Sequence, residues 1–558
     1  MGLPASPLRR SSLATWMVGA VIFFRRSFAS GFDGLSGDNG DWRLISVLHE
    51  HLFRAMRGTG SWTSPNFFYP TKNVLGFSDT FALNEIFYVP LRLIGFDRYA
   101  ALQWTFILLT GVGFFGLTAL LDRTTHLPGH WICCLAAVFT FANSLAVKAG
   151  HPQMYGVYWL PWVCLALVLG LNMAADSPSP RHRWLFASGA LTGLVVYSSF
   201  YIGWFFLLAV GIFGICFSLL QLASGGYRTY LTKLRTQIRS GATLLLGFAF
   251  SLIPFVITYL PALRSTRKRS YSEALGFAGR PGDLINVSRW NAIWGPVLRK
   301  VFHGNPARLT NGETALAITP LVIVLTLAVG FHGLRIKRRT RTPRENLVLG
   351  LAMTWVTLSL ISIKFGFGSA WIVPYTVVPG ANVIRAIDRI QVFNIILASL
   401  TLGFGLDTWI RRSGGHSGAT GPAPTYRRAK RTVSVLLLLA VVEQFNMTPT
   451  SSMDRSDELR LMLATPDAPK SCRSFYIIGL PGVPAYVTNV DAMVIASSKQ
   501  LPTLNGYSGQ FPDAFPFDTT LPTYQQDIQG WARRKGVTQG LCVYDRARRA
   551  WSPSMVAP

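Results

Sequence analysis

The chain has 558 residues, of which 50% are hydrophobic and only 14% charged, and its mean hydropathy is +0.32. Because soluble domains carry about 25% charged residues, this composition excludes a cytosolic globular enzyme, a disordered chain and a disulfide-rich scaffold. The formal charge of +28 suggests nucleic acid in a soluble protein, but in so apolar a chain the basic residues are first placed relative to membrane spans. We predict no nucleic-acid partner.

Apolar runs of roughly 20 residues, the length that crosses about 30 Å of hydrocarbon, recur along the chain. A shorter run, 13–24, stops at Arg25 and Arg26 and is either a short span or a signal-like anchor. With it, the sequence predicts a polytopic α-helical membrane protein of about 11 transmembrane helices. The ten clear runs are 99–121, 131–148, 155–175, 185–200, 201–223, 241–262, 314–334, 346–363, 390–410 and 432–445.

The stretch 185–223 has 39 residues without a charge, which is too long for one crossing, so we predict a tight turn near 197–203. Lys and Arg concentrate in alternate loops: 122–130, 176–184, 224–240, 335–345 and 411–431. By the positive-inside rule these loops are cytoplasmic. We therefore expect a bacterial inner (plasma) membrane protein with a cytoplasmic N-terminus. Within the last loop, 413–425 has the composition of a flexible linker.

Three regions then lie outside the cytoplasm: the first outer loop 25–98, the second large outer loop 263–312 and the C-terminal part 447–558. In the first loop, helical spacing predicts helices over 42–56 and 79–94 that lie in the membrane interface. The second loop has nine Lys and Arg residues against Glu273 and Asp283, which suits anionic lipid headgroups or a phosphate-bearing substrate.

We divide the chain into a transmembrane domain, 1–446, and a small α/β domain, 447–558. In the second, β-rich runs at 475–478 and 541–544 alternate with helical patterns at 490–498 and 524–534. Cys472 and Cys542 lie beside its outer strands, and we predict a disulfide between them in an oxidising outer compartment.

Acidic residues are scarce, yet Asp33, Asp38 and Asp41 fall within nine positions, separated by glycines. A carboxylate there can act as a general base toward an acceptor hydroxyl or help to hold a divalent cation. The alternative is structural, with Asp41 capping the following helix and Asp38 a turn.

Other candidate binding residues lie in the same outer segments. In 66–79, Tyr69 can stack on a sugar and Lys72 can bind a phosphate, or the aromatic residues anchor the membrane interface. His151 and Gln153 lie in a short outer turn, where they contact a headgroup or only shape the turn.

Charged residues near the later spans are further candidates. Arg385 and Arg389 either clamp a phosphate or anchor a helix against lipid. Asp407 and Glu443 lie inside spans near their ends, which makes each a functional candidate by default, unless water reaches them.

Several of these segments together resemble the GT-C superfamily, polytopic glycosyltransferases similar to protein O-mannosyltransferases and the lipid A aminoarabinose transferase. The resemblance implies a sugar donor on a polyprenyl phosphate or pyrophosphate and a first-loop acid as base or metal ligand. It points to Asp41 first and then Asp38, with Asp79 and Glu85 as secondary acids. The matching motifs are 37–41, 67–70, 77–79, 150–153, 379–389, 491–497 and 505–509.

The sequence hypothesis is an inverting membrane glycosyltransferase that moves a sugar from a lipid-phosphate donor to an extracytoplasmic glycan, lipid or protein acceptor among membrane lipids. A first-loop Asp is its base, and a divalent cation is an open question. The alternatives are a lipid-linked saccharide transporter and a non-enzymatic envelope assembly factor.

Overall fold

The computed structural model describes residues 7–172, 178–224, 238–266, 269–301, 309, 314–315, 318–414, 424–448, 453–537 and 539–554. Parts of the second outer loop (267–268, 302–308 and 310–313), of two predicted cytoplasmic loops (173–177 and 225–237) and of the predicted linker (415–423) lie outside the described residues.

Most described residues form helices. In chain order the α-helices are α1 Pro7–Phe23, α2 Arg25–Ala29, α3 Asp41–Met56, α4 Glu85–Leu93, α5 Arg98–Thr124, α6 Gly129–Thr140, α7 Asn143–Val147, α8 Leu160–Asn172, α9 Pro178–Ser198, α10 Phe200–Ala223, α11 Ile238–Ser251, α12 Ile253–Ser265, α13 Tyr271–Gly276, α14 Gly295–Val301, α15 Pro320–Arg335, α16 Pro343–Ile361, α17 Ile372–Val377, α18 Ile390–Gly414, α19 Pro424–Val442, α20 Arg455–Ala464, α21 Ala485–Lys499 and α22 Tyr524–Arg534. The 3-10 turns are Val74–Phe77, Ala82–Asn84, Pro152–Trp159, Pro281–Ile285, Arg338–Thr340, Ala381–Val383 and Ile387–Arg389. The strands are β1 Lys364–Phe365, β2 Gly368–Ser369, β3 Ser474–Tyr476, β4 Leu541–Asp545 and β5 Ala550–Pro553.

The long apolar helices make the chain a multi-pass membrane protein. Among the described residues, five segments are long and apolar enough to cross a membrane: Arg98–Thr124, Gly129–Val147, Pro152–Leu171, Phe200–Ala223 and Ile387–Ser413. The pair Ile238–Ser251 and Ile253–Arg264, bent by 55°, makes a sixth if it is one span.

Each of the ten clear apolar runs coincides with a helix or a broken helix. The break in 185–223 falls at Ser199, between α9 and α10, inside the predicted turn. The total of about 11 crossings stays a prediction, and so does the role of α1, which has only 17 residues.

The first outer loop packs between the membrane helices and the C-terminal residues. α3 is buried from Trp42 to Glu50, because α21 and α4 pack against it. α4 instead exposes the apolar side chains of Ile86 and Leu93, as a helix at a membrane interface does. The first loop therefore joins the membrane part to the C-terminal part.

Residues 453–554 contain a small layered α/β unit. In its described residues β3 pairs parallel with β4, and β4 pairs antiparallel with β5. Because side chains alternate along a strand, Phe475 packs with α21 on one face and Tyr476 with α22 on the other. Cys472 and Cys542 form a disulfide beside these strands.

The predicted domain boundary at residue 446 does not separate two hydrophobic cores. Met453, Val490, Met493 and Val494 belong to the same buried apolar cluster as the membrane helices. The C-terminal unit is therefore packed directly onto the transmembrane part, and the domain boundary stays a prediction.

A buried charge network fixes this packing. Arg43 of α3 lies 2.9 Å from Glu458 of α20 and 2.6 Å from Asp491 of α21, and its side chain is only 3% exposed. Tyr99 donates a hydrogen bond to Glu458, and Arg546 pairs with Asp491. Removing one partner from such a network leaves an uncompensated buried charge.

We expect Arg43→Met to lower the free energy of unfolding by about 3–5 kcal/mol, the usual cost of breaking a buried ion pair. The matched control is Arg460→Met, since the Arg460–Asp457 pair is 71% and 64% exposed and such pairs are worth about 0–1 kcal/mol. Denaturant unfolding in detergent, followed by tryptophan fluorescence, measures both. Equal effects of the two substitutions would show that Arg43 does not hold the parts together.

Candidate active site

Asp41 is the point at which three distant segments of the chain meet. It is the first residue of α3, where the helix dipole favours negative charge. Its Oδ2 lies 2.7 Å from Nδ1 of His151, and its Oδ1 accepts a hydrogen bond of 2.9 Å from the Tyr507 hydroxyl. Burial raises the pKa of a carboxyl, but His151, Arg389 and Tyr507 together outweigh it and lower the pKa of Asp41 to about 2.

Asp38 lies beside Asp41 in a different electrostatic state. Burial first, and then the charge of Asp41, raise the pKa of Asp38, although His151 and two backbone N–H groups act in the opposite direction. Its Oδ1 accepts hydrogen bonds from the backbone of Gly40 and Trp42, so the predicted capping role is present. Its Oδ2 faces Gly150, where an added Cβ would lie 3.5 Å away.

A glycine allows the tight path of this segment. Gly37 has a φ of +150°, and a Cβ on it would lie 2.3 Å from the Trp42 ring. Only a residue without a side chain can pass so close. The chain can therefore place Asp38 and Asp41 on the same side of the start of α3.

The turn after α7 supplies His151 and is held by a buried ion pair. Lys148 Nζ lies 3.2 Å from Oδ2 of Asp388, and both side chains are almost fully buried. Gln153 is also buried, and its backbone carbonyl accepts a hydrogen bond from the Ser199 hydroxyl. The 148–153 turn is thereby fixed against the late loop that carries the two candidate arginines.

That late loop positions Arg385 and Arg389. The backbone N–H of Arg385 donates to the Tyr201 hydroxyl, and the Arg389 guanidinium lies 5.6 Å from the centre of the Tyr201 ring. Arg385 lies over the Phe277 ring at 4.9 Å. The charge of Arg389 lowers the pKa of Asp41. Burial and the charge of Asp41 raise the pKa of Tyr507, and the charge of Arg385 opposes them. The late loop therefore brings the charge of Arg389 to Asp41 and that of Arg385 to Tyr507.

Asp79 lies close to the same group but has a structural contact. Its Oδ1 accepts a hydrogen bond of 2.5 Å from the backbone N–H of Phe200, the first residue of α10. Burial raises the pKa of Asp79 to about 6, against the lowering effects of this bond and of Arg389. A cap on α10 accounts for this carboxyl.

Glu85 belongs to another cluster. It pairs with His49 at 2.5 Å, both side chains being almost fully buried. His49 is eight residues beyond Asp41 on α3, about 12 Å along a helix axis. Next to this pair, Glu50 accepts hydrogen bonds from Tyr88 and Arg92. The structure therefore separates Glu85 from the Asp38 and Asp41 group.

Tyr69 and Lys72 are both exposed. The backbone N–H of Tyr69 donates to the Thr503 carbonyl, which fixes this segment to the C-terminal unit. Among the described residues, no hydrogen bond or ion pair joins either side chain to Asp38 or Asp41. Their sugar and phosphate contacts stay predictions.

The sequence interpretation missed two residues of this group. Tyr507 lies in the motif Asn505-Gly-Tyr-Ser-Gly509, which was noted, but a contact 466 residues distant from Asp41 leaves no local pattern. Lys148 ends a predicted span, and a lysine at the end of an otherwise apolar run was the available signal.

The donor atoms around Asp41 do not suit a divalent cation. Both oxygens of Asp41 are engaged by His151 and Tyr507. Within the described residues, no group of three or more His, Cys, Asp or Glu side chains is arranged to hold a metal ion. This donor set therefore does not fit a metal ion, and the catalytic roles are assigned to side chains.

Comparison with known proteins identifies the fold. No protein-family model matches the chain, and no curated protein matches it in sequence. The arabinofuranosyltransferase AftD from Mycobacteria matches with a TM-score of 0.53 and 13% identity, over 98% of this chain and 35% of AftD. The oligosaccharyltransferase AglB from Archaeoglobus fulgidus, in complex with an inhibitory peptide and a dolichol-phosphate, matches with a TM-score of 0.50 and 11% identity, over 96% of this chain and 70% of AglB.

ArnT from Cupriavidus metallidurans is more distant, with a TM-score of 0.41 and 12% identity over 97% of this chain and 92% of ArnT. AftD and AglB are GT-C glycosyltransferases, and this chain has the GT-C fold. The resemblance predicted from the motifs is thus confirmed for the fold.

The raised pKa of Asp79 predicts a pH-dependent stability. The folded protein keeps a proton that the unfolded chain releases near pH 4, so the free energy of unfolding falls as the pH rises from about 4 to about 6. We expect Asp79→Asn to flatten this slope, because its amide oxygen still accepts from Phe200 without a charge. Thermal unfolding midpoints from pH 4 to 7 measure the effect. A variant with the parental slope would assign the titration to another group.

Proposed function

We propose that the chain is a membrane glycosyltransferase that transfers a sugar from a lipid-phosphate donor to an acceptor hydroxyl. The observation that carries the proposal is the convergence of Asp38, Asp41, His151 and Tyr507 with the guanidinium of Arg389. The GT-C fold supports it, and the AglB structure holds a dolichol-phosphate.

The two carboxylates have different roles because their surroundings drive their pKa values apart. Asp38 has the raised pKa, and the hydrogen bonds from Gly40 and Trp42 go to its Oδ1 rather than its Oδ2, so it suits the general base. Asp41 remains ionised at any working pH and already holds two partners. Its fixed negative charge stabilises the positive charge that develops on the sugar ring. This assignment reverses the order of the two acids that the sequence suggested.

The reaction is a single inverting displacement. The acceptor oxygen attacks the anomeric carbon while Asp38 takes its proton. The bond from the anomeric carbon to the phosphate oxygen breaks, and its electron pair stays on the phosphate. Arg385 and Arg389 bind this leaving group, since guanidinium groups match phosphate oxygens in geometry and charge.

We further propose that the site faces the extracytoplasmic side of a bacterial inner membrane. At the C-terminal end of α5, Arg344 donates to the Thr124 carbonyl and pairs with Asp407, which also binds Arg411. At the N-terminal end, Tyr99 contacts the network beneath the C-terminal unit. The 27 residues of α5 span about 40 Å, which supports placing the arginine-rich face and the site on opposite sides of a bilayer.

We expect Asp38→Asn to lower the rate of sugar transfer by about 10²–10⁴-fold, the usual contribution of a general base. Asp33→Asn is the matched control, because Asp33 lies in the same segment but accepts hydrogen bonds from Ser456 at the start of α20. Turnover of a polyprenyl-phosphate sugar by the protein in vesicles measures both. Flux of the donor across the vesicle without product would instead indicate transport.

The pH profile separates the roles of the two acids. Since the charge of Asp41 raises the pKa of Asp38, Asp41→Asn should leave a slow residual activity whose acidic limb in kcat/KM lies at lower pH. If Asp41 is the base, the same variant has no such limb.

Arg389→Gln should reduce transfer by about 10²-fold, the loss typical of one preorganised donor, and weaken inhibition by added undecaprenyl phosphate. Arg428→Gln, on an exposed turn of α19, removes the same charge away from the site and should change neither quantity. Unchanged inhibition in Arg389→Gln would remove this arginine from the phosphate site.

A further inference from the structure

An apolar groove of about 1080 Å³ lies among α1, α6, α7 and α19 near the site. It is larger than most ligand pockets, which measure about 300–1,000 Å³. A polar saccharide inside it would leave hydroxyl groups without partners, whereas a hydrocarbon chain would not. The groove is lined by Ala14, Val18 and Ile22 of α1, by Ala137 of α6, by Phe141 and by Ala146 of α7, and by Val441 and Val442 of α19.

The groove lies next to the segments that carry the carboxylate group. Ser36 and Ala149 line it, two residues before Asp38 and one residue before Gly150. A Cβ on Gly150 would lie 3.5 Å from Oδ2 of Asp38, so the groove comes within one residue of the glycine that faces the proposed base.

Basic residues also line the groove. Arg25 and Arg26 line the groove, and the Arg25 guanidinium lies 5.3 Å from the centre of the Phe445 ring. An anionic headgroup therefore has complementary charge next to the apolar lining.

The candidate donor-phosphate residues lie on another side of the carboxylates. Arg389 acts on Asp41 and Asp79 and stacks on Tyr201 at the start of α10. None of the groove-lining residues comes from α10. In an in-line displacement the acceptor and the leaving group occupy opposite faces of the sugar, so the groove lies on the acceptor side.

We propose that the acceptor is an anionic membrane lipid whose hydrocarbon chain occupies this groove and whose hydroxyl reaches Asp38. The inference rests on the proposed function, because it takes Asp38 as the base and Arg385 and Arg389 as the phosphate site. It narrows the acceptor from glycan, lipid or protein to a lipid-borne hydroxyl. A partner helix, about 10–12 Å wide, is a poor match to a groove whose lining includes two arginines.

Photochemical cross-linking tests the proposal without requiring turnover. The protein is placed in phosphatidylcholine vesicles with one of two probes, each bearing a diazirine in its chain: phosphatidylglycerol, as an anionic lipid with free hydroxyls, or undecaprenyl phosphate, as the donor's leaving group. Cross-linked residues are mapped by mass spectrometry. We expect phosphatidylglycerol, and not undecaprenyl phosphate, to label α1 and α7 along the groove.

A tryptophan substitution provides the matched comparison. Ala146→Trp fills the groove and should reduce this labelling by about tenfold, as the loss of about two buried methylene groups would. Ala328→Trp, in a separate apolar recess of about 250 Å³, should leave groove labelling unchanged.

Two results would overturn the proposal. Preferential labelling of the groove by undecaprenyl phosphate would assign the groove to the donor chain. Labelling by phosphatidylglycerol no stronger than at the Ala328 recess would make it ordinary lipid contact. Failure of the proposed glycosyltransferase function gives a different result. In that case Asp38→Asn would leave donor turnover unchanged, whatever the labelling of the groove.

Discussion

The buried ion pairs of Arg43 hold the C-terminal unit against the first outer loop, and the site depends on them. Arg43 bridges Glu458 and Asp491, which fixes α20 and α21 over α3. Through α21 the network also sets the position of the 503–507 segment, where Asn505 bonds to Asn489 and Tyr524. This packing places the Tyr507 hydroxyl 2.9 Å from Oδ1 of Asp41. Buried ion pairs are costly to desolvate, and here their geometry defines one docking position.

The charges around the two acids explain how one segment holds two carboxylates close together. Two like charges at short range repel, and burial strengthens the repulsion. His151, Arg389 and Tyr507 gather on Asp41 and stabilise its ionised form, so most of the cost falls on Asp38. The Lys148–Asp388 pair, fully buried, keeps the turn that carries His151 in register with the loop that carries Arg389. Residues from four segments of the chain therefore set the difference between the pKa values of Asp38 and Asp41.

The sequence predicted what is local and missed what is distant. Apolar run length located the long apolar helices. Charge placement indicated Asp38, Asp41, His151 and Arg389, because polar residues between apolar runs stand out. Tyr507 was not recognised as part of the site, because its role depends on tertiary packing. Asp407 and Glu443 were candidates by default, yet Asp407 pairs with arginines and Glu443 accepts hydrogen bonds from the Leu321 and Val322 backbone at the start of α15. An acid within a span does not distinguish a helix cap from a site.

The two carboxylates have different neighbouring groups. Guanidinium groups lie by Asp41 toward α10, and the apolar groove with its own arginines opens by Asp38 toward α1. In the proposed displacement at carbon the entering and leaving groups occupy opposite faces of the sugar, and we assign the groove side to the acceptor and the arginine side to the donor phosphate. Under that proposal Asp38, whose pKa is raised, takes the acceptor's proton. Asp41, whose pKa is lowered, supplies the fixed negative charge.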